Sequence, residues 1–283
     1  MRIMEGTEPS YCSMSVVTIS RGSFSGGKSL AVCLAQRLGY RCVDRDVIVE
    51  KAAASGVSQK EIRDAILLPP TFLERFTHKK YLYLTLIQAA LTDELRTGKV
   101  VYHGNAGHLL LPGGAPMVRV RIIAPMSYRI GMARERLRMT EPEAIEYIHK
   151  RDGERRKWTQ YLYGVDWTDP ALYDLVINLE HVSITEACRM LEALIRVQAC
   201  YEFGPECRSL MDDLATASRV KAKLAMEPAT AHLEFDVGAK GGQVYIHGKL
   251  PSMDLLPRIE RIAGGVMGVE KVDLREVAPA SQL

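Results

Sequence analysis

A chain of 283 residues exceeds the usual single-domain range of roughly 100 to 200, so two domains are expected. Its hydrophobic share of 47% is ample for a core, and a net charge of +3 is too mild for a nucleic-acid binder, which shows a clustered basic face. The N-terminal stretch has no apolar signal-type segment, no uninterrupted apolar run approaches the ~20 residues of a membrane span, and the six cysteines show neither a C-x-x-C pair nor a metal-ligand spacing. The expectation is a soluble cytoplasmic protein with no membrane span and no nucleic-acid partner.

Val16, Val17 and Ile19 form an apolar, β-branched run suited to a buried strand, and it feeds directly into Gly22-Ser-Phe-Ser-Gly-Gly-Lys-Ser29, a G-x-x-x-x-G-K-S pattern. Leu30, Ala31, Leu34, Ala35 and Leu38 then recur at helical spacing until Gly39. Strand, glycine-rich turn and helix in that order is the context in which backbone N–H groups curl round phosphate oxygens. Gly22, Gly26 and Gly27 let the backbone approach closely, with Ser23, Phe24 and Ser25 completing the cradle. Lys28 is placed to reach the β- and γ-phosphates of a nucleoside triphosphate, and the Ser29 hydroxyl to ligate Mg²⁺. The helix N-terminus adds roughly half a positive charge at the same spot.

Tyr40 to Asp46 reads as a short strand ending in acids, followed by a helix from Val47 to Ala54. Asp44 and Asp46 are the acidic candidates beside the loop; Asp44 suits Mg²⁺ held through water, and the plainer reading of each is an acid balancing a helix dipole. Ser58 and Glu61 form a capping box, and Pro69-Pro70 breaks the chain. Arg75, in the segment after the prolines, is placed to meet an acceptor's phosphate, although a surface ion pair is the commoner fate of such a residue. From Lys79 to Thr97, Leu84, Ile87, Leu91 and Leu95 repeat on one helical face, and Lys99 to His103 is the next strand. His103 and His108 are five apart, not the i, i+4 pair of a zinc helix, which favours loop histidines over metal ligands.

Val118 to Ala124 is a further strand, followed by a basic helix with Arg129, Arg134, Arg136 and Arg138. A capping box at Thr140 and Glu143 starts a helix that runs into Lys150, Arg151, Arg155, Arg156 and Lys157. Tyr173 to Asn178 is the last strand of this series, and Ser183 with Glu186 caps the helix carrying Leu191, Leu194 and Ile195. Strands alternating with helices imply a parallel sheet wrapped on both faces, with ligands at the carboxyl ends of its strands. Past Phe203 the pattern changes: Leu210, Leu214, Ala217, Val220 and Leu224 make an amphipathic helix between Pro205 and Pro228 that reads as a connector. Two alternating strands with a turn over Gly238 to Gly242, a helix through Leu255, Ile259 and Ile262, and a third strand at Val272 and Leu274 make a small second domain. The connector is expected to hold that domain away from the first, so that a chain cut after Phe203 still folds.

The loop alone does not choose among phosphate chemistries. No Asn-Lys-x-Asp guanine signature and no long apolar strand ending in Asp-Glu is present. An arginine-rich segment is, and guanidinium groups on a mobile lid stabilise a phosphoryl group in flight while excluding water; the plainer reading is a solvated basic helix end.

Ser20-Arg-Gly-Ser-Phe-Ser-Gly-Gly-Lys-Ser29, Val43-Asp-Arg-Asp-Val-Ile48, Val101-Tyr-His-Gly-Asn-Ala-Gly-His108, Val120-Arg-Ile-Ile-Ala-Pro125 and Tyr161-Leu-Tyr-Gly-Val-Asp-Trp167 with Tyr173-Asp-Leu-Val-Ile-Asn178 resemble the cytidylate kinase-like proteins, over roughly residues 14 to 200. Residues 229 to 278 are similar to a BON domain, a module thought to bind phospholipids or partners. The resemblance implies an α/β fold, a P-loop three-layer αβα parallel sheet over residues 1–203 with a lid at about 149–160, a connector helix over 204–228 and a small α+β BON-like domain over 229–283. It implies ATP-dependent phosphoryl transfer to a nucleoside monophosphate, CMP or dCMP ranking first, with Mg²⁺ as cofactor. Lys28, Arg151, Arg155 and Arg156 are the expected catalytic residues, Ser29 and Asp44 the metal side, and Asp46, Arg75 and His103 the acceptor side. Where bacterial cytidylate kinases end a strand in Gly-Arg-Asp, this chain has His103-Gly-Asn105, without the arginine and the acid. A catalytically weak, ATP-responsive binding module and a kinase of a non-nucleotide metabolite are the alternatives. Peripheral lipid or protein contact is expected only through the C-terminal domain, and the oligomeric state is left open.

Overall fold

The computed structural model describes residues 16–67, 78–104, 107–111, 115–199 and 205–280. Strand β1 (Val16–Arg21) is central to a five-stranded sheet, and its β-branched residues Val16, Val17 and Ile19 are buried because strands lie on both sides of it. With β2 (Arg41–Asp44), β3 (Val100–His103), β4 (Val118–Ile123) and β5 (Leu175–Asn178), the order is β2-β3-β1-β4-β5 and every pair is parallel. Chain direction across the sheet reverses at β1, so the crevice beyond its carboxyl end is where a ligand site is built.

Helix α1 (Gly27–Leu38) lays Leu30, Ala31, Leu34 and Ala35 on one face of the sheet. There they meet Ala187, Cys188, Leu191 and Ile195 of α8 (Ile184–Ala199). The opposite face carries α2 (Arg45–Ala53), α3 (Gln59–Leu67) and α4 (Lys79–Leu95), whose Ile87, Leu91 and Leu95 are buried as the helical spacing requires. The short α5 (Gly107–Leu110) and α6 (Met126–Leu137) complete the connections. The result is the expected three-layer αβα arrangement.

Helix α7 (Glu141–Tyr163) opens on the expected Thr140–Glu143 capping box and continues without a break for 23 residues. The basic segment is therefore the middle of a packed helix rather than a loose flap. Trp158 fixes it: the side chain is fully buried, and its indole N–H donates to the Ala65 carbonyl of α3 at 2.9 Å.

In the second unit, β6 (Asp236–Lys240) and β7 (Gln243–Leu250) are antiparallel, and β8 (Lys271–Pro279) runs parallel to β7 after the crossover helix α10 (Leu256–Gly264). The reversal is tighter than the Gly238 to Gly242 spacing suggested. Gly238 stays in the strand, and Gly241 and Gly242, with φ of 56° and 81°, make a two-residue hairpin turn that needs a positive φ at both positions.

Helix α9 (Pro205–Met226) does not act as a spacer. Met211 and Ala222 enter the core under α4, while Val220 and Leu224 enter the core of the small sheet with Phe235, Ile246 and Ile259. Arg96 pairs with Asp212 at 2.9 Å and Arg219 with Asp93 at 3.1 Å. The Tyr81 hydroxyl of α4 accepts from the Phe235 amide at 3.1 Å and donates to the Phe235 carbonyl at 3.2 Å; burial pushes its pKa up to about 12. Among the described residues no helix is long and apolar enough to cross a membrane.

Candidate active site

At the end of β1 the chain turns through Gly22 to Gly26 and enters α1. Gly26 has a φ of 85°, and a Cβ there would lie 2.8 Å from Leu179 Cδ1, so only glycine makes this entry. Phe24, at φ 60°, holds a left-handed conformation that costs a side-chain-bearing residue about 1–2 kcal/mol. Its ring lies 5.9 Å from that of Tyr147 on α7. Ser25 Oγ pins the turn from beneath, 3.1 Å from the Gly22 carbonyl and 3.2 Å from that of Ile122. Helix α1 has no side-chain cap, which leaves its first amides facing the cleft as a ready anion site.

A carboxylate on α7 holds the turn from the side. Asp152 Oδ1 accepts from both the amide and the hydroxyl of Ser23 at 3.0 Å, and Asp152 also pairs with Arg129 and, at 3.1 Å, with Arg155. Arg129 donates to the Ser23 carbonyl at 2.7 Å, and Arg155 to the Arg21 carbonyl at 3.2 Å. Burial, with Arg21, Arg45 and Arg129 nearby, brings the Arg155 pKa down to about 10.

The turn opens on a cleft of about 280 Å³, and most of the residues expected from the sequence meet there: Ser23, Phe24, Gly26, Gly27, Lys28, Ser29, Asp44, Asp46, His103, Arg151 and Arg155. Asp44 and His103 end neighbouring strands in register. Gly22 and Ser25 buttress the turn and line the space behind it. Arg156 is not brought to the cleft: it pairs with Asp166 at 3.0 Å on the other side of α7. Arg75 and Asn105 lie outside the described residues. Arg21, Arg45 and Arg136 also line the cleft, and Arg129 supports it; nothing local to α6 singles out Arg136 among its arginines.

The cleft is cationic and partly dry. Burial lowers the Arg21 pKa, and Arg45 and Arg136 lower it further. The Nε atoms of Arg21 and Arg45 and Nδ1 of His103 are buried without hydrogen-bond partners among the described residues. Burial first and Arg21 second take the His103 pKa down to about 4, so the imidazole is neutral at pH 7. Asp44 Oδ1 caps α2 by accepting from the amides of Asp46 and Val47 at 3.0 and 3.1 Å, and among the described residues no hydrogen bond engages Oδ2. Ser29 and Asp44 together offer hard oxygen donors of the kind Mg²⁺ takes. Among the described residues no group of three or more His, Cys, Asp or Glu is gathered for a metal.

His108 sits apart from the cleft, edge-on to Tyr173 at 4.8 Å and 3.5 Å from Ser20 Oγ. Burial takes its pKa from 6.5 down to about 4. Between those values the unfolded chain binds a proton that the folded chain refuses, so stability falls as pH drops from 6.5 toward 4. In thermal melts across this range His108→Gln is expected to lose less of its midpoint than the parent chain; equal slopes would remove the assignment.

A parallel αβα sheet whose first strand enters G-x-x-x-x-G-K-S, facing a cationic cleft, defines a P-loop protein of the kinase type. Residues 16–181 match the cytidylate kinase-like family, and the chain belongs to it. Residues 212–276 match the BON domain. The chain is 31% identical over 168 residues to the cytidylate kinase of Ignicoccus hospitalis, covering 58% of this chain and 90% of that protein. It is 25% identical over 167 residues to the cytidylate kinase of Thermococcus kodakarensis, covering 59% and 80%. Among solved structures, an uncharacterized protein from Eubacterium ventriosum superposes with a TM-score of 0.49 at 19% identity, over 64% of this chain and 98% of that one.

Proposed function

We propose that this protein transfers the γ-phosphoryl group of ATP to a nucleoside monophosphate, with CMP or dCMP first among the acceptors. One observation carries the reading: the open N-terminus of α1, Lys28 and the arginines of α6 and α7 converge on a single cleft at the ends of β1, β2 and β3. Two polyanions need such a surplus of cations. The likeness to the two cytidylate kinases supports the choice of acceptor.

In this reading the amides of the loop and Lys28 hold the ATP phosphates, and Lys28 and Arg151 meet charge that builds on the γ-phosphoryl oxygens during transfer. An acceptor phosphate is already anionic, so no strong base is required, which agrees with a neutral, weakly basic His103 at the cleft wall. Asp46 and His103 face the acceptor. Ser29 and the free oxygen of Asp44 would hold Mg²⁺ together with nucleotide phosphates and water, and the ion would neutralise phosphate charge.

Arg151 and Arg155 divide the work differently from the lid expected of the sequence. Arg151 lies half-buried at the cleft edge, over the Tyr147 ring at 5.6 Å and paired with Glu154 at 3.2 Å, whereas Arg155 supports the turn itself. Arg151→Ala is therefore expected to lower kcat by about 10²-fold with ATP affinity nearly unchanged. Arg155→Ala should weaken ATP binding as well, because the Arg21 carbonyl and Asp152 lose their common donor. Steady-state kinetics with direct ATP titration separates the two, and identical behaviour of both variants would refute the division.

The reading as a whole is tested by incubating the purified chain with Mg-ATP and a panel of nucleoside monophosphates and following ADP. CMP or dCMP is expected to release ADP fastest. Turnover with none of the panel would transfer the reading to a non-nucleotide acceptor or to an ATP-responsive binding module.

A further inference from the structure

Helices α1 and α8 each follow a strand of the same parallel sheet and lie on the same face of it, so they run side by side in the same direction. Their facing residues therefore step together. Arg37 pairs with Glu192, whose other oxygen takes Arg196, and Arg196 in turn donates to the Arg37 carbonyl at 3.1 Å. One helical turn back from Arg37 and Glu192, at i−4 on each helix, the facing residues are Cys33 and Cys188.

The two thiols are in hydrogen-bond contact within the core between α1, α8 and the sheet, and both are free. They differ in exposure: Cys188 is 0% exposed, whereas Cys33 is half-buried and reached by solvent. Burial first, and the Cys33 thiol second, push the Cys188 pKa up to about 12, so it keeps its proton at neutral pH. A thiol is a weak donor and a weak acceptor, and packs much as a small apolar side chain does. Among the described residues no group of three or more His, Cys, Asp or Glu is gathered here to hold a metal. What two adjoining thiols can do, and apolar side chains of the same size cannot, is give up two electrons and form a bond.

We propose that Cys33 and Cys188 form a modification site at which a hydroperoxide converts the two thiols to a disulfide, stapling the phosphate-loop helix to α8. Cys33 meets the oxidant because solvent reaches it: its sulfur takes one peroxide oxygen, the O–O bond breaks, and the thiol proton leaves with the departing oxygen as water or an alcohol. The Cys188 sulfur then attacks the Cys33 sulfenic acid; the S–S bond forms, the S–O bond breaks, and the Cys188 proton leaves with the hydroxide as water. The thiols lose two electrons and two protons, and the peroxide takes up both. Contact between the sulfurs places the resolving thiol before the sulfenic acid is oxidised further. The bridge closes a long loop, which removes freedom from the unfolded chain, and it ties down the helix that presents Lys28 and Ser29.

The full chain, reduced, desalted and treated with stoichiometric hydrogen peroxide, is digested without reductant and mapped by mass spectrometry. A linked pair of peptides carrying Cys33 and Cys188, two hydrogens lighter than their sum and released by dithiothreitol, is expected. The melting midpoint of the treated chain should rise by at least about 4 °C, as a native-like bridge over a long loop does, and the rise should be absent from Cys33→Ser treated alike. In Cys188→Ala, which lacks the resolving thiol, Cys33 should run on to the sulfinic acid, two oxygens heavier. Cys33 joined to another cysteine, Cys33 reaching the sulfinic acid in the parent chain, both thiols unchanged while the exposed Cys42 is oxidised, or a linked chain with an unchanged midpoint each overturns the proposal. The parent-chain map stands even where Cys188→Ala does not fold.

Discussion

Lys28→Ala is expected to lower phosphoryl transfer by about 10²- to 10³-fold, the range seen when a preorganised donor to developing negative charge is removed. The fold should not notice. Lys28 is exposed at the mouth of the cleft and makes no ion pair or hydrogen bond among the described residues, so its removal leaves no buried partner behind. The amides of α1 remain to bind ATP, which is why the loss should fall on kcat more than on ATP affinity. Circular dichroism and the melting midpoint serve as the control for folding. Unchanged turnover in a folded variant would detach the loop from the chemistry and favour an ATP-responsive module.

The loop could be read from the sequence because everything it requires is local: a β-branched strand, glycines where the backbone must turn, and a helix directly after. Two capping boxes were legible for the same reason. Thr140 with Glu143 and Ser183 with Glu186 form them, the latter through contacts of 2.8 and 3.2 Å. The cationic wall was not legible, since Arg21, Arg45 and Arg136 come from three separate stretches and only the order of the strands brings them together. Arg156 shows a different limit. Once α7 is continuous, Arg151 and Arg155 share a face at i, i+4, and Arg156 is turned about 100° further round; reading the segment as a mobile lid hid this periodicity. Asp152, which ties the loop to α7, stood in the sequence beside three basic residues with nothing to say that its partner lay 129 positions earlier.

A chain cut after Phe203 is expected to be insoluble, against the independence suggested by the prolines that bracket α9. Both faces of this helix are in use. Met211 is 1% exposed and Ala222 5%, both in the core that contains Leu86 and Ile87 of α4, and Leu214 packs against the same core. Removing α9 uncovers that side of α4, and each large apolar side chain returned to water forfeits roughly 1.5–3 kcal/mol. Two or three of them are a large fraction of the 5–15 kcal/mol that typically holds a domain together, and the bared strip invites association. Moving the cut to residue 230 keeps α9 but strips Val220 and Leu224 of Phe235, Ile246 and Ile259, so the longer fragment trades one exposed face for another. A boundary that spares both cores does not exist on α9 itself, and we propose that the helix belongs to the two units equally. Expressing residues 1–203, 1–230 and the full chain side by side, and measuring soluble yield, melting midpoint and turnover, decides the matter. A soluble 1–203 fragment with full turnover would return α9 to the role of a connector; aggregation of both fragments, with a soluble and active full chain, is the result expected if α9 completes the cores of both units.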